Sequence, residues 1–491
     1  MADLLEHLAN WRPFKAVVVG DFMLDELVYG DAERLSPDAP VPVLQVERID
    51  RRAGGAANVC MDLAAIGATV HAIGVTGDDA TGDLLRDELQ SPSINVDGVI
   101  SDDGRPTTVK RSLIGLAQHR HPQKMFRLDM ESRAPLGAAA VASLLERFDA
   151  AVANADVVCL EDYGKGVCTP EVCREVIARA KALQVPVIVD PARLEDFSRY
   201  AGASCLTPNR SEALGVAKSL GLAEDVNVEQ LGAALHASLD LDALVLTLDR
   251  DGALLIERDS PPVQIPTVAR EVYDVTGAGD MVLAALAGAL AQGASWPDAT
   301  RFANVAAGLE VEVFGVQPIP LERIHHAVLQ EAGSLRGKRR TLDELMLEVT
   351  VHRGEGRRIV FTNGCFDIIH AGHISLLRQA ATFGDVLIVG VNSDDSVRRL
   401  KGPERPVHHE DDRVDVLSEF ESVTAVVVFD DDTPMEIIRA VKPDVLVKGA
   451  DYEKREVVGA DVVEAAGGRV ELVPLMTGRS TSAAIDRIRA T

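Results

Sequence analysis

Asp274-Val275-Thr276-Gly277-Ala278-Gly279-Asp280 runs directly into the apolar segment Met281–Gln292, and this junction decides how the front of the chain reads. A Gly-x-Gly turn that opens a helix leaves backbone N–H groups unpaired and aims the positive end of the helix dipole at whatever lies before it. Such a turn is an anion hole. Asp280 stands just inside it, where a carboxylate can take the proton of a substrate hydroxyl while the amides of Gly277, Ala278 and Gly279 steady charge on a transferring phosphoryl group. The competing reading is structural: a glycine turn with an acid near a helix start, both favoured there on local grounds.

Other segments share the setting. Ala53-Gly54-Gly55-Ala56-Ala57-Asn58 opens an earlier helix, Asn209-Arg210-Ser211-Glu212 follows an aliphatic strand, and Thr247-x-x-x-x-Gly252 follows another. All fall at the C-terminal ends of strands, where open α/β sheets bind ligands. Glu161-Asp162-Tyr163-Gly164-Lys165-Gly166 sits at the same kind of edge, and Lys165 among its glycines points to phosphate or sugar contact, with a plain turn as the alternative. No Gly-x-x-x-x-Gly-Lys-Ser/Thr occurs, which excludes a P-loop kinase.

Repeated strand-then-helix units run through most of the 491 residues, so the fold class is α/β with parallel sheets covered by helices. Clear strands include Ala16–Gly20, Val157–Leu160, Val185–Asp190, Leu244–Leu248, Ile359–Thr362, Val386–Val391, Val423–Phe429 and Val445–Lys448. Two β-prone stretches, Asp31–Asp50 and Val96–Met130, are expected to pair as a small separate sheet. The length exceeds what one core usually supports, and small and basic residues from Gly333 to Arg340 interrupt the pattern. The expected domains are therefore residues 1–330 and 346–491, with 331–345 as a solvated linker.

Net charge is −26, which gives the chain no electrostatic footprint for nucleic acid or anionic lipid; any phosphate must be held by local groups. Six scattered cysteines without a C-x-x-C pair read as reduced thiols. The first ten residues lack a signal-peptide pattern and Met281–Ala291 is too short to span a bilayer, so the expected compartment is the cytoplasm.

In the second half, Ile359–Thr362 leads into Asn363-Gly364-Cys365-Phe366-Asp367-Ile368-Ile369-His370-Ala371-Gly372-His373 and then a helix. Two histidines three apart at a helix start share one face, and Gly372 permits close backbone approach. As a zinc site the spacing is poor: it lacks the i,i+4 pair, the intervening Glu and a third ligand, and no tightly bound metal is expected. Downstream stand Asn392-Ser393-Asp394, Arg413, Lys448-Gly449-Ala450-Asp451 and Gly478-Arg479-Ser480-Thr481-Ser482.

These residues carry two resemblances. Residues 10–325 resemble the ribokinase-like sugar kinases, whose fold is an α/β domain with a small β lid. By position, the resemblance implies that Asp25 and Asn58, beside Gly54 and Gly55, touch the sugar and that Asp280 is the base. It further implies that Asn209 and Glu212 organise Mg2+ and the ATP phosphates, near Thr247 and Gly252. Residues 355–491 resemble the His-x-Gly-His nucleotidyltransferases, a Rossmann-like α/β group. That resemblance implies that His370 and His373 stabilise the α-phosphate, with Asn363, Gly364, Phe366, Asp367, Arg413, Lys448, Asp451, Ser480 and Thr481 about the nucleotide; Arg479 departs from the commoner Ile in the last motif.

Together with Asp162-Tyr163-Gly164-Lys165-Gly166, the two halves are similar to the bifunctional heptose-7-phosphate kinase and heptose-1-phosphate adenylyltransferase family of lipopolysaccharide inner-core synthesis. The resemblance implies ATP with Mg2+, heptose phosphates as substrates, and no nucleic-acid or membrane partner. The same chemistries on another sugar or alcohol phosphate, with CTP in place of ATP, and a scaffold with inactive sites are the alternatives; intact Asp280, His370 and His373 argue against the scaffold. The β-rich insert exposes strand edges and an apolar face, which leads to the expectation of a homodimer through the kinase half.

Overall fold

The computed structural model describes residues 10–116, 122–223, 226–267, 275–312, 317–331, 337–354, 356–449 and 457–474, with Leu4, His7 and Leu8. The chain divides into two compact units, Met1–Ile324 and His325–Thr491.

The first unit is built on a nine-stranded sheet. In spatial order its strands are Val263–Ile265, Ala253–Glu257, Ala243–Thr247, Cys205–Leu206, Val187–Asp190, Val157–Glu161, Phe14–Gly20, Ala68–Gly77 and Ile94–Asp102. All pair in parallel from Ala243–Thr247 to Ile94–Asp102, and only Ala253–Glu257, antiparallel to both of its neighbours, runs the other way. The central strands are aliphatic because both faces are covered. Val17 and Val19 join a core with Leu144, Phe148, Val172 and Val176 of the helices Ala138–Val152 and Pro170–Ala182, while Ala16 and Val18 between them are equally buried. Every strand in this parallel set ends at the same edge, so the residues just past Gly20, Glu161, Asp190 and Thr247 converge there.

A four-stranded lid stands apart from that sheet. Phe22–Leu35 pairs antiparallel with Pro42–Gly55 and parallel with Thr108–Leu116, which in turn pairs antiparallel with Gln123–Met130. The second β-prone stretch is thus divided. Thr108–Leu116 and Gln123–Met130 enter the lid as expected, but Ile94–Asp102 closes the edge of the main sheet beside Ala68–Gly77. Its buried and open positions are mixed, as suits an edge strand with only partial cover.

The second unit has six parallel strands in the order Arg339–Arg340, Ala425–Phe429, Val386–Asn392, Ile359–Gly364, Val445–Gly449 and Arg469–Val473. One face packs Ile359, Phe361 and Ile388, the other Val360, Leu387 and Val389. Strand order reverses beside Ile359–Gly364, which places the end of that strand at a topological switch point. Part of the stretch read as a solvated linker is built into this unit. Arg339 and Arg340 pair with Val426 and Val427, and Arg340 donates to Glu348 at 2.7 Å. Two charged residues on a short edge strand block further strand addition, which is why a basic run here reads as solvated from sequence.

Candidate active sites

Gly277 takes a left-handed backbone, φ 92°, immediately before the helix Ala278–Ala291, a conformation glycine adopts without strain. Asp280 lies in the first turn and is buried. Both carboxylate oxygens are held: Oδ2 accepts from Asn58 Nδ2 at 2.8 Å and Oδ1 from the Tyr163 hydroxyl at 2.9 Å. Burial pushes its pKa up to about 6 against the opposing pull of those two hydrogen bonds. The group is therefore ionised at neutral pH yet basic enough to accept a proton.

Acids at the ends of neighbouring strands surround this group. Ligand-capable oxygens of Glu161, Asp190 and Asp280 lie within 4.8 Å of one another. Thr207 Oγ1 donates to Asp190 at 2.9 Å, whereas Glu161 Oε2 is buried with no hydrogen-bond partner. Burial, then the neighbouring acids, hold the carboxyl groups of Glu161 and Asp190 far above the usual range. Such an arrangement is costly unless a cation or proton offsets it.

Asp21 organises the loop that brings Tyr163 in. Its Oδ2 accepts from the backbone N–H of Tyr163 and Lys165, both at 2.9 Å, and its Oδ1 from Val167 at 3.1 Å. Burial, with Asp162 nearby, pushes its pKa up to about 6 despite these three donors. Asp162 in turn accepts from Tyr200 Oη at 2.7 Å and Gly164 N at 2.7 Å.

Asp25 faces the same space from the lid strand Phe22–Leu35. A Cβ on Gly54 would lie 2.9 Å from its carboxyl carbon, and one on Gly55, φ 57°, would meet Met23 Cε at 2.6 Å and Asp21 O at 2.7 Å. The Gly-Gly pair is thus needed where the lid strand Pro42–Gly55 ends at the helix Ala56–Ala65. Asp25 Oδ1 is buried without a hydrogen-bond partner. Burial raises its pKa, opposed by the charges of Lys110, Arg127 and Lys124 from the lid strands Thr108–Leu116 and Gln123–Met130. Lys110 Nζ lies 4.4 Å from the centre of the Tyr163 ring. Lys165, expected at phosphate or sugar, has its ammonium paired with Glu131.

On the nucleotide side, Asn209 and Glu212 satisfy each other. Glu212 N donates to Asn209 Oδ1 at 3.0 Å and Asn209 N to Glu212 Oε2 at 2.9 Å, a reciprocal cap on the helix Arg210–Gly215. Glu212 still faces Asp190, whose pKa it helps to raise. Thr247 bridges to Asn209 at the same edge. Gly252, φ 87°, is fixed by its turn, since a Cβ there would lie 2.1 Å from Ile265 O.

In the second unit His370 caps the helix Ala371–Ala381, its Nδ1 accepting from Gly372 N at 3.2 Å. That bond leaves the ring proton on Nε2. The His370 and His373 rings stack with centroids 3.9 Å apart and planes 17° from parallel. Burial, reinforced by His370, lowers the pKa of His373 to about 4, so at neutral pH it is an uncharged imidazole. Positive charge comes instead from Lys448, whose Nζ donates to Asn363 O at 3.2 Å and lies beside its Oδ1.

Three residues expected at the nucleotide also make contacts within the protein. Phe366 is buried in the core and packs against His373, with ring centroids 5.2 Å apart. Asp367 is buried too; it accepts from Val407 N at 2.6 Å and His408 N at 3.3 Å and pairs with Arg405, so it anchors the 402–409 segment. Arg413 is fully buried, with Nη2 on Asp394 Oδ1 at 2.8 Å and Nη1 on Cys365 O. Gly364 ends the strand beneath the Phe366 ring. Asp274, Asp451, Ser480 and Thr481 lie outside the described residues.

The sequence does not single out Asp21, Lys110 or Asp190, and within the segment 161–166 it points to Lys165 ahead of Glu161 and Tyr163. The signal was the repeated acid at a strand end, visible in Gly20-Asp21, Leu160-Glu161 and Val189-Asp190. No described helix is long and apolar enough to cross a membrane.

Residues 14–323 match the pfkB family carbohydrate kinase, and residues 361–473 match the cytidylyltransferase-like family. The first unit is similar in fold to the ribokinase of Arabidopsis thaliana, with a TM-score of 0.50, 22% identity, and 65% of this chain and 99% of that one covered. It is likewise similar to phosphofructokinase-2 of Escherichia coli, with a TM-score of 0.52, 18% identity, and coverage of 65% and 99%. Over nearly its full length the chain is similar to the bifunctional protein HldE of Geobacter metallireducens, 44% identical over 98% of this chain and 96% of the relative. The bifunctional protein HldE of Wolinella succinogenes is 42% identical over 96% of this chain and 97% of its own. A kinase site and a nucleotidyltransferase site in one continuous match make the chain a member of the bifunctional HldE family, with a pfkB-type carbohydrate kinase as its first part.

Proposed function

We propose that the chain phosphorylates heptose 7-phosphate at O1 with ATP and, once a separate phosphatase has removed the 7-phosphate, adenylylates heptose 1-phosphate to ADP-heptose. The observation that carries the first step is Asp280, held by Asn58 and Tyr163 at the mouth of the Gly277–Gly279 turn. Asp280 takes the proton from O1 as the bond from O1 to the γ-phosphorus forms and the bond to ADP breaks, while the loop amides meet the charge on the phosphoryl oxygens. Asp25 orders the sugar hydroxyls. Lys110, Arg127 and Lys124 about Asp25 give a locally cationic lid in a chain of net charge −26, which suits a sugar that already carries phosphate.

Glu161 and Asp190 fit a divalent cation, because Glu161 Oε2 is a buried acceptor without a donor and the acids crowd together. Mg2+ with ATP would supply charge neutralisation of the phosphates at that point. In the second unit a phosphate oxygen of the sugar attacks the α-phosphorus and pyrophosphate leaves. His370 and His373 donate N–H groups to the charge that builds there, and Lys448 supplies the cation. The exposed apolar lid residues Val46, Ile49, Phe126 and Leu128 support pairing of two chains through the kinase unit, in the cytoplasm; a monomeric mass at micromolar concentration counts against that pairing.

Incubation with ATP, Mg2+ and heptose 7-phosphate, with and without a phosphatase, tests the reading. The bisphosphate is expected alone without the phosphatase, and the ADP-sugar with it. A nucleotide-sugar formed only from CTP, or from an unrelated alcohol phosphate, would replace this substrate assignment.

A further inference from the structure

The helix Ala56–Ala65 is apolar along most of its length, yet it buries Asp62 completely. This acid lies one turn after Asn58, on the same helix face. The Asn58 amide nitrogen has two hydrogens, and both are used: one goes to Asp280 Oδ2 at 2.8 Å and the other to Asp62 Oδ2 at 3.2 Å. Asn58 therefore has only its carbonyl oxygen left to offer a sugar, and its amide links the expected base to a second acid set back from the substrate.

Among the described residues no cation is paired with that second acid. Asp62 Oδ1 is buried with no hydrogen-bond partner, and the charged groups facing it are Glu310, at the end of the helix Trp296–Glu310, and Asp280. Burial, then Glu310 and Asp280, hold its carboxyl group far above the usual range, which lessens its repulsion of the base while it accepts from Asn58. An apolar residue would fill this helix contact at lower cost. What an acid adds is an acceptor that fixes which way the Asn58 amide points.

We propose that Asp62 is a positioning residue for phosphoryl transfer: by accepting one Asn58 N–H it locks the amide so that the other is aimed at Oδ2 of Asp280. Without it the amide can rotate, the carboxylate loses one of its two anchors, and the proton acceptor drifts from the line of transfer. ATP binding is left alone, whereas a turned amide also moves the carbonyl oxygen that Asn58 has left to offer the sugar. The inference rests on Asp280 being the base.

The experiment is steady-state kinase kinetics on the full chain carrying Asp62→Ala, Asp62→Asn and, in parallel, Asp280→Asn. Asp62→Ala is expected to lower kcat about 10- to 100-fold with KM for ATP within about twofold and KM for sugar raised by the turned Asn58 carbonyl, the cost of a small misplacement at the reacting group. Asp62→Asn keeps an acceptor of the same shape and is expected to restore kcat to within about threefold of the parent. A destabilised helix would not be rescued selectively in kcat. Wild-type kcat in Asp62→Ala, or an Asp62→Asn as slow as Asp62→Ala, overturns the positioning role. If Asp62→Ala does not fold, Asp62→Ser, too short to reach Asn58, takes its place with the same two outcomes. An active Asp280→Asn sinks the base itself, whereas a dead Asp280→Asn beside an unaffected Asp62→Ala sinks only this inference.

Discussion

Tyr163→Phe removes one hydroxyl and leaves the ring, so it isolates a single hydrogen bond at 2.9 Å to Asp280 Oδ1. That bond opposes the burial that pushes the carboxyl pKa up to about 6. A hydrogen bond to a charged acceptor contributes about 1.5–3 kcal/mol, and about 1.4 kcal/mol corresponds to one pH unit. The acid limb of kcat for the kinase should therefore move from near 6 upward by about one unit or more. The sign follows from the role: the base works only when ionised, activity is lost as pH falls through its pKa, and removing a donor to the carboxylate raises that pKa. At pH 7 the variant should be several-fold slower, and above about pH 8.5 it should approach the parent rate apart from any loss of positioning. The assay is kcat against pH from 5 to 9 at saturating ATP and sugar phosphate. An unmoved acid limb, or one that moves to lower pH, would falsify the assignment of Tyr163 as the donor that tunes Asp280.

Lys110→Met should raise KM for the phosphorylated sugar about tenfold or more while leaving KM for ATP unchanged, and Lys165→Met, whose charge is matched by Glu131, should do less; initial rates over a range of sugar decide this. Gly54→Ala places a methyl group 2.9 Å from the Asp25 carboxyl carbon, so it should weaken sugar binding about tenfold or more, with nucleotidyl transfer untouched; an unchanged sugar KM contradicts the close-approach argument. His370→Ala and His373→Ala should each cut nucleotidyl transfer about 10²–10³-fold with little change in nucleotide Kd, read by single-turnover rates and calorimetry. Loss of activity through removal of a zinc ion from the parent enzyme would contradict the metal-free role of that pair.

The layers of the fold were legible because parallel strands buried on both faces must be aliphatic; Ala16–Gly20 and Val386–Val391 carry that requirement openly. The glycines at 277 and 54–55 were legible as well, since a positive φ or a close approach admits little else. What stayed hidden depends on partners far apart in the chain. Asn58 and Asp280 are separated by 222 positions and Tyr163 and Asp280 by 117, so no local pattern could pair them. Asp367 and Arg413 show the reverse case: both sit in or near a recognisable motif, but their burial and their hold on Val407, His408 and Asp394 depend on distant partners that no motif displays. Arg339–Arg340 misled because two charged residues on a short edge strand have the composition of a connector.

The central claim is that two separate sites on one chain act on different phosphorus atoms of ATP, and the fate of two labels tests it most directly. ATP labelled at the γ-phosphate and ATP labelled at the α-phosphate are supplied in turn to the parent chain, Asp280→Asn and His373→Ala, with sugar 7-phosphate or sugar 1-phosphate as acceptor. The γ-label should enter the sugar bisphosphate in the parent and His373→Ala but not in Asp280→Asn. The α-label should enter the nucleotide-sugar in the parent and Asp280→Asn but not in His373→Ala. Loss of both transfers in either variant, or retention of both, would contradict two independent sites.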